Sequence, residues 1–102
     1  MNYLINMYSD PFYPEFLVDK VKECILQVVR FIEKGEHEVE KIIQSKLDEM
    51  TIAINGLVGE FEQNNSEIET VARDSIANTV ESILQYFKIG IDVEDALRER
   101  DW

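Results

Sequence analysis

The stretch Asn64-Asn65-Ser66-Glu67-Ile68-Glu69-Thr70-Val71-Ala72-Arg73-Asp74-Ser75 closes one long apolar-striped segment and opens another. Ser66 with Glu69 three residues on is a capping-box pattern: the hydroxyl accepts the N3 amide proton and the carboxylate reaches back to the N-cap amide. A helix is therefore expected from Glu67 to about Lys88, with Ser66 as its N-cap. Glu69 and Arg73 stand four apart on one face, and Asp74 follows. The densest polar cluster of the chain thus sits at a helix start, where the helix dipole favours negative charge. Ile68, Val71, Ala72, Ser75, Ile76, Thr79, Val80, Ile83, Leu84 and Phe87 give this helix a broad apolar stripe, and Gly90 ends the unit.

Upstream, a second helix is expected from about Glu36 to Gln63. Glu36, Glu38 and Glu40 suit its first turns. Its stripe is Val39, Ile43, Leu47, Met50, Ile54, Leu57 and Phe61, alternating steps of four and three from Ile43 onward, as in a coiled-coil seam. Gly56 and Gly59 weaken it by roughly 1 kcal/mol each relative to alanine. They either kink the helix or end it near Asn55 and leave a short separate turn. A first long helix is expected from about Pro14 to Lys34, because proline suits the first turn and Gly35 suits the C′ position. Phe16, Leu17, Val21, Cys24, Ile25, Val28 and Ile32 recur at helical spacing, widened by Val18 and Val29. Residues 3–8 fit one or two turns with Leu4, Met7 and Tyr8 on one side, before Ser9-Asp10-Pro11 breaks the pattern. Asp92, with Asp95 at N3, opens a last short helix.

The expected fold is all-α: an antiparallel three-helix bundle with short flanking N- and C-terminal helical elements, in one domain over residues 1–102. Its core draws on Leu17, Val21, Cys24, Ile25, Val28, Ile32, Ile43, Leu47, Met50, Ile54, Leu57, Phe61, Ile68, Val71, Ile76, Val80, Ile83 and Phe87.

Twenty-one acidic residues against ten basic ones give a net charge of −11. Phosphate backbones and anionic membrane surfaces repel such a chain, so direct nucleic-acid and membrane binding are disfavoured. A basic protein partner is compatible with it, and dispersed carboxylates make the chain soluble in any case. The one cysteine, Cys24, has no internal disulfide partner and reads as a small apolar residue on a helix stripe. With no basic, apolar leader at its start and no apolar run long enough to span a bilayer, the expected location is cytoplasmic.

Tests for chemistry are negative, so no catalytic, cofactor or metal residues are assigned. A di-iron bundle needs Glu-x-x-His, but the only histidine, His37, has Lys34 three positions before it. His37-Glu38 lacks the second histidine of a zinc-protease helix, where Lys41 stands instead. Glu33-x-x-Glu36 is the only Glu-x-x-Glu and straddles Gly35, and no Glu-x-x-Asp accompanies it as a magnesium pyrophosphohydrolase would require. Calcium loops, phosphate-binding glycine loops and Cys-x-x-Cys are absent. Ser66 and Ser75 have no histidine beside them in sequence.

Two constellations remain as candidates. Glu69, Arg73 and Asp74, with Arg98 and Arg100, form either an ion-pair network or an anion and partner site built on the planar fork of Arg73. Tyr8, Phe12, Tyr13 and Trp102 form either seals on the core or an aromatic patch for a partner.

Tyr3 to Asp10, Leu47 to Asn55, Ser66 to Ser75 and the ending Arg98-Glu99-Arg100-Asp101-Trp102 together resemble an uncharacterised family of small acidic all-helical bacterial proteins. The resemblance covers nearly the whole chain. It implies a stand-alone cytoplasmic protein and carries over no catalytic role. The leading expectation is a non-enzymatic interaction or structural protein, acting through its acidic surface or as a homodimer. The alternative is a small-molecule- or metal-binding enzyme using Glu69, Arg73 and Asp74. Mimicry of nucleic acid would require carboxylates in a phosphate-like row.

Overall fold

The computed structural model describes residues 3–35 and 39–102. Among them the helices are α1 (Ile5–Tyr8), α2 (Glu15–Glu33), α3 (Glu40–Asn55), α4 (Val58–Gln63), α5 (Thr70–Tyr86) and α6 (Val93–Ala96), and there is no strand. The protein is all-α, with three long helices and short elements at each end. Glu36, His37 and Glu38 lie outside the described residues, and with them the expected first turn of the second helix and the His37 cluster.

Pro14 sets the first boundary, standing as N-cap of α2, where its missing amide costs nothing. The stripe of α2 is buried as its periodicity requires: Leu17, Val18, Val21, Ile25, Val28, Val29 and Ile32 all face inward. Gly35 closes the helix at φ +85°, a conformation other residues rarely adopt. In α3 the buried stripe is Ile43, Leu47, Met50, Thr51 and Ile54.

The single helix expected through Gln63 is broken. The Gly56 amide still reaches the Ile52 carbonyl at 3.1 Å, but the Leu57 amide turns to Ile54, three residues back, at 2.9 Å. Helix α4 restarts at Val58 and buries Phe61 completely. Two glycines within four positions leave too little propensity to hold the helix through this point.

The capping prediction at Ser66 is also corrected. Helix α4 ends in a Schellman motif: Asn65 is left-handed (φ 58°), the Ser66 amide bonds the Phe61 carbonyl at 2.9 Å, and the Asn65 amide bonds Glu62 at 3.2 Å. Ser66 is thereby the terminating residue of one helix rather than the opening residue of the next. Residues 66–69 are non-helical, and Ser66 and Ile68 are buried. Helix α5 begins at Thr70 with Glu69 as N-cap, accepting from the Val71 amide at 3.3 Å. The later start turns Val71, expected in the core, out to solvent. At the far end of α5, Lys88 (φ 56°) closes a second Schellman motif, with the Ile89 amide on Leu84 at 2.8 Å. Asp92 caps α6 as expected, accepting from the Glu94 amide at 2.9 Å.

Helix α2 packs most closely on α3, while α1 lies against α5 and α2, and α6 against α5 and α3. The short elements thus fill the seams on either side of α5. Two buried polar contacts hold them there. The Leu4 amide donates to Thr79 Oγ1 at 3.0 Å, and Thr51 Oγ1 donates to the Leu47 carbonyl at 2.8 Å and, more weakly, to Ala96 at 3.4 Å. Leu4 is left-handed (φ 54°) and fully buried. The molecule measures 41 × 23 × 21 Å.

Candidate functional site

Helices α2 and α3 are amphipathic beyond their core stripes, and that excess makes the main concavity. Cys24 of α2 and Ala53 of α3, both small, line the outer side of this pair. A groove of about 980 Å³ lies there over an apolar floor of Cys24, Val28, Met50, Ala53 and Leu57. Contacts along it tie the first half of α2 to α4 and the end of α2 to the first half of α3. Lys20 Nζ bonds Glu60 Oε2 at 2.7 Å at one end, and Lys46 Nζ sits 5.1 Å from the Phe31 ring centre at the other. On the α2 rim, Arg30 reaches Glu23 at 2.7 Å, and on the α3 rim Lys46 is 3.5 Å from Glu49.

The rim is charge-balanced. Lys20, Arg30, Lys34 and Lys46 face Glu23, Glu33, Glu49 and Glu60. Four of the chain's ten basic residues are gathered here, so the net charge of −11 lies entirely outside the groove. Helical register extends the same faces past both ends with exposed apolar residues: Phe16, four before Lys20, is 51% exposed, and Ile42, four before Lys46, is 44% exposed. Burial pushes the Cys24 thiol above its ordinary value, so at neutral pH it is a protonated, apolar wall.

Sequence reasoning assigned Cys24 and Leu57 to the core, and both are only partly buried because they line the groove. The signal that marks the groove is a small residue on each helix, Cys24 and Ala53, lining one cavity. Their sharing of that cavity exists only once the register of α2 against α3 is fixed.

The polar cluster expected at the α5 start does not assemble as a unit. Glu69 turns to Tyr13, whose hydroxyl donates to its carboxylate, and it also serves as helix cap. Arg73 makes no ion pair with Glu69 and, among the described residues, reaches only the Thr70 hydroxyl, at 3.3 Å. Arg98 turns elsewhere, from the segment after α6 to α3, where it grips Asp48 with two bonds, Nε to Oδ1 at 3.0 Å and Nη2 to Oδ2 at 2.7 Å. That hydrogen bonding, with help from Gln44, holds the Asp48 carboxyl below the usual carboxylate range against the opposing effect of burial. Arg100 pairs with Glu94 at 3.1 Å. Arg73, Asp74 and Arg100 do meet, with Trp102, around a second, smaller cavity of about 180 Å³.

The aromatic group also divides. Tyr13 is buried, Trp102 is half-buried against the core, and only Tyr8 and Phe12 remain exposed. Tyr8 donates to Asp19 at 2.5 Å. Partial burial and that carboxylate push its phenol well up. Among the described residues no group of three or more His, Cys, Asp or Glu side chains is placed to hold a metal ion, and no helix is long and apolar enough to cross a membrane.

A family model matches residues 1–102. The chain belongs to DUF5713, a family of unknown function. Comparison with curated proteins finds no match, and neither does comparison with solved structures. Membership of DUF5713 agrees with the resemblance read from the sequence, which is to a family without assigned activity and spans nearly the whole chain. DUF5713 brings no chemistry of its own to either cavity, so their reading rests on geometry and charge.

Proposed function

We propose that the protein is a non-enzymatic interaction protein that pairs with a second copy of itself through the α2–α3 groove. The observation that carries this reading is the charge-balanced rim around an apolar floor on a chain whose −11 lies wholly elsewhere. A two-fold interface sets one patch against itself, so the patch must be self-complementary. The rim meets that requirement, since each basic side chain finds acidic ones of the other copy within the same patch. Elsewhere on the surface two copies would repel. The groove face runs from Lys20 to Lys34, about four helical turns, and two α2–α3 pairs apposed along it make a four-helix arrangement whose new core is built from Cys24, Ala53 and Leu57. A cytoplasmic setting, which keeps the Cys24 thiol reduced, fits this reading.

Sedimentation equilibrium at micromolar concentration tests it. The wild-type chain is expected as a dimer. Ala53→Arg places a long charged side chain on the exposed groove floor and is expected to yield monomer with unchanged helicity. Tyr86→Arg, at an exposed position outside the groove, is expected to leave the dimer intact. A wild-type monomer, or a dimer indifferent to Ala53→Arg, overturns the proposal.

A further inference from the structure

The second cavity carries an inference independent of the groove. At about 180 Å³ it is below the roughly 300–1,000 Å³ of sites for drug-sized ligands, so it suits a small molecule. Its walls hold charges of both signs, Arg73 and Arg100 with Asp74 and Glu94, and a small apolar surface from Ala77 and Leu97. Arg100 and Glu94 satisfy one another. Arg73 and Asp74 do not: they are neighbours in sequence near the start of α5, and among the described residues the arginine has only the Thr70 hydroxyl and Asp74 has no partner. Trp102 lies on the same wall, and its indole N–H is shielded from water with no acceptor among the described residues.

We infer that this cavity binds a small zwitterion of the free α-amino-acid class with a compact apolar side chain. The ligand carboxylate lies on the Arg73 fork, where planar two-bond recognition is available. The ligand ammonium lies on Asp74, and its side chain rests on Ala77 and Leu97. A simple anion is disfavoured, because Asp74 and Glu94 repel it in a chain already at −11. A simple cation leaves Arg73 opposed. Only a ligand bearing both charges answers both unpaired groups.

Trp102 is the only tryptophan, so its emission reports the cavity directly. The full chain is titrated at neutral pH with L-alanine and, separately, with acetate and with ethylammonium. L-alanine is expected to shift the emission saturably, and the two half-ligands are not. Arg73→Gln and Asp74→Asn, both at exposed positions, are each expected to raise the dissociation constant about tenfold or more with unchanged circular dichroism. No saturable shift with L-alanine overturns the inference. So does an equal response to acetate alone, or affinity unaltered in both variants. None of these outcomes touches the oligomeric state, so failure here leaves the groove reading standing.

Discussion

At the scale of the residue, three of the described residues other than glycine, Leu4, Asn65 and Lys88, hold left-handed backbone, each at the end of a helix. Asn65 tolerates that conformation because its short polar side chain finds local partners. Lys88 has no such help. Its φ of 56° closes α5, and a side chain with a Cβ pays roughly 1–2 kcal/mol for the left-handed region, against roughly 0.5–1 kcal/mol of unfolded-state entropy that glycine would forfeit. Lys88→Gly is therefore expected to stabilise the protein by about 0.5–1 kcal/mol in urea unfolding. An unchanged or lower midpoint would mean that the lysine side chain makes contacts in the fold that outweigh its strain. Leu4 is the opposite case. Its strained backbone delivers its amide to Thr79 and its side chain to the core, so glycine there would relieve φ and forfeit a fully buried leucine.

At the scale of the element, Gly59 sits inside α4 with open space where a Cβ would project. Gly59→Ala is expected to raise stability by about 0.5–1 kcal/mol, since alanine both favours the helix and restricts the unfolded chain. The element that ends at Gly56 was legible only as one of two options, because both glycines lower helix propensity without saying which one stops the helix. Stripes were largely legible: apart from Cys24, those from Leu17 to Ile32, Ile43 to Ile54 and Ile76 to Ile83 are buried as their spacing requires. Ser66 was misread because a capping box is a local pattern, and a chain reversal at Asn65 consumed the same amide first. Val71 followed that error out of the core. The cluster around Arg73 was half legible. Sequence proximity joined Glu69 to it, but Tyr13, fifty-six residues away, claims that carboxylate.

Asp48 and Arg98 join α3 to the chain segment after α6, and their pairing makes a pH-dependent contribution. The folded carboxyl titrates below its ordinary value of 3.8. A lowered folded value means stability that is present above the unfolded value and lost as pH falls through the folded one. The destabilisation caused by Arg98→Ala should thus be constant near neutral pH and fade as pH drops below about 4. Thermal melts of both proteins across that range read it directly. A difference that persists undiminished in acid would show that Arg98 acts by packing rather than by its bond to Asp48.

At the scale of the whole molecule, charge decides how two copies can meet. Apposed along their long faces, two chains of net charge −11 lie about 22 Å apart, judged from the shorter dimensions of 23 and 21 Å. Treated as point charges in water, their repulsion is on the order of 10 kcal/mol at 0.01 M salt and about 2–3 kcal/mol at 0.1 M. Rim ion pairs across the interface are exposed and contribute about 0–1 kcal/mol each, so screening the repulsion outweighs screening the attraction. The dimer is therefore expected to tighten as sodium chloride rises from 0.01 to about 0.2 M, with the apolar floor as the salt-independent part. An acidic surface engaging a basic partner behaves the other way, since there salt screens the only long-range attraction. The sign of the salt dependence in sedimentation equilibrium thus separates the two modes of interaction. Self-association that weakened with salt would mean that opposite charges, rather than the groove floor between α2 and α3, hold the copies together.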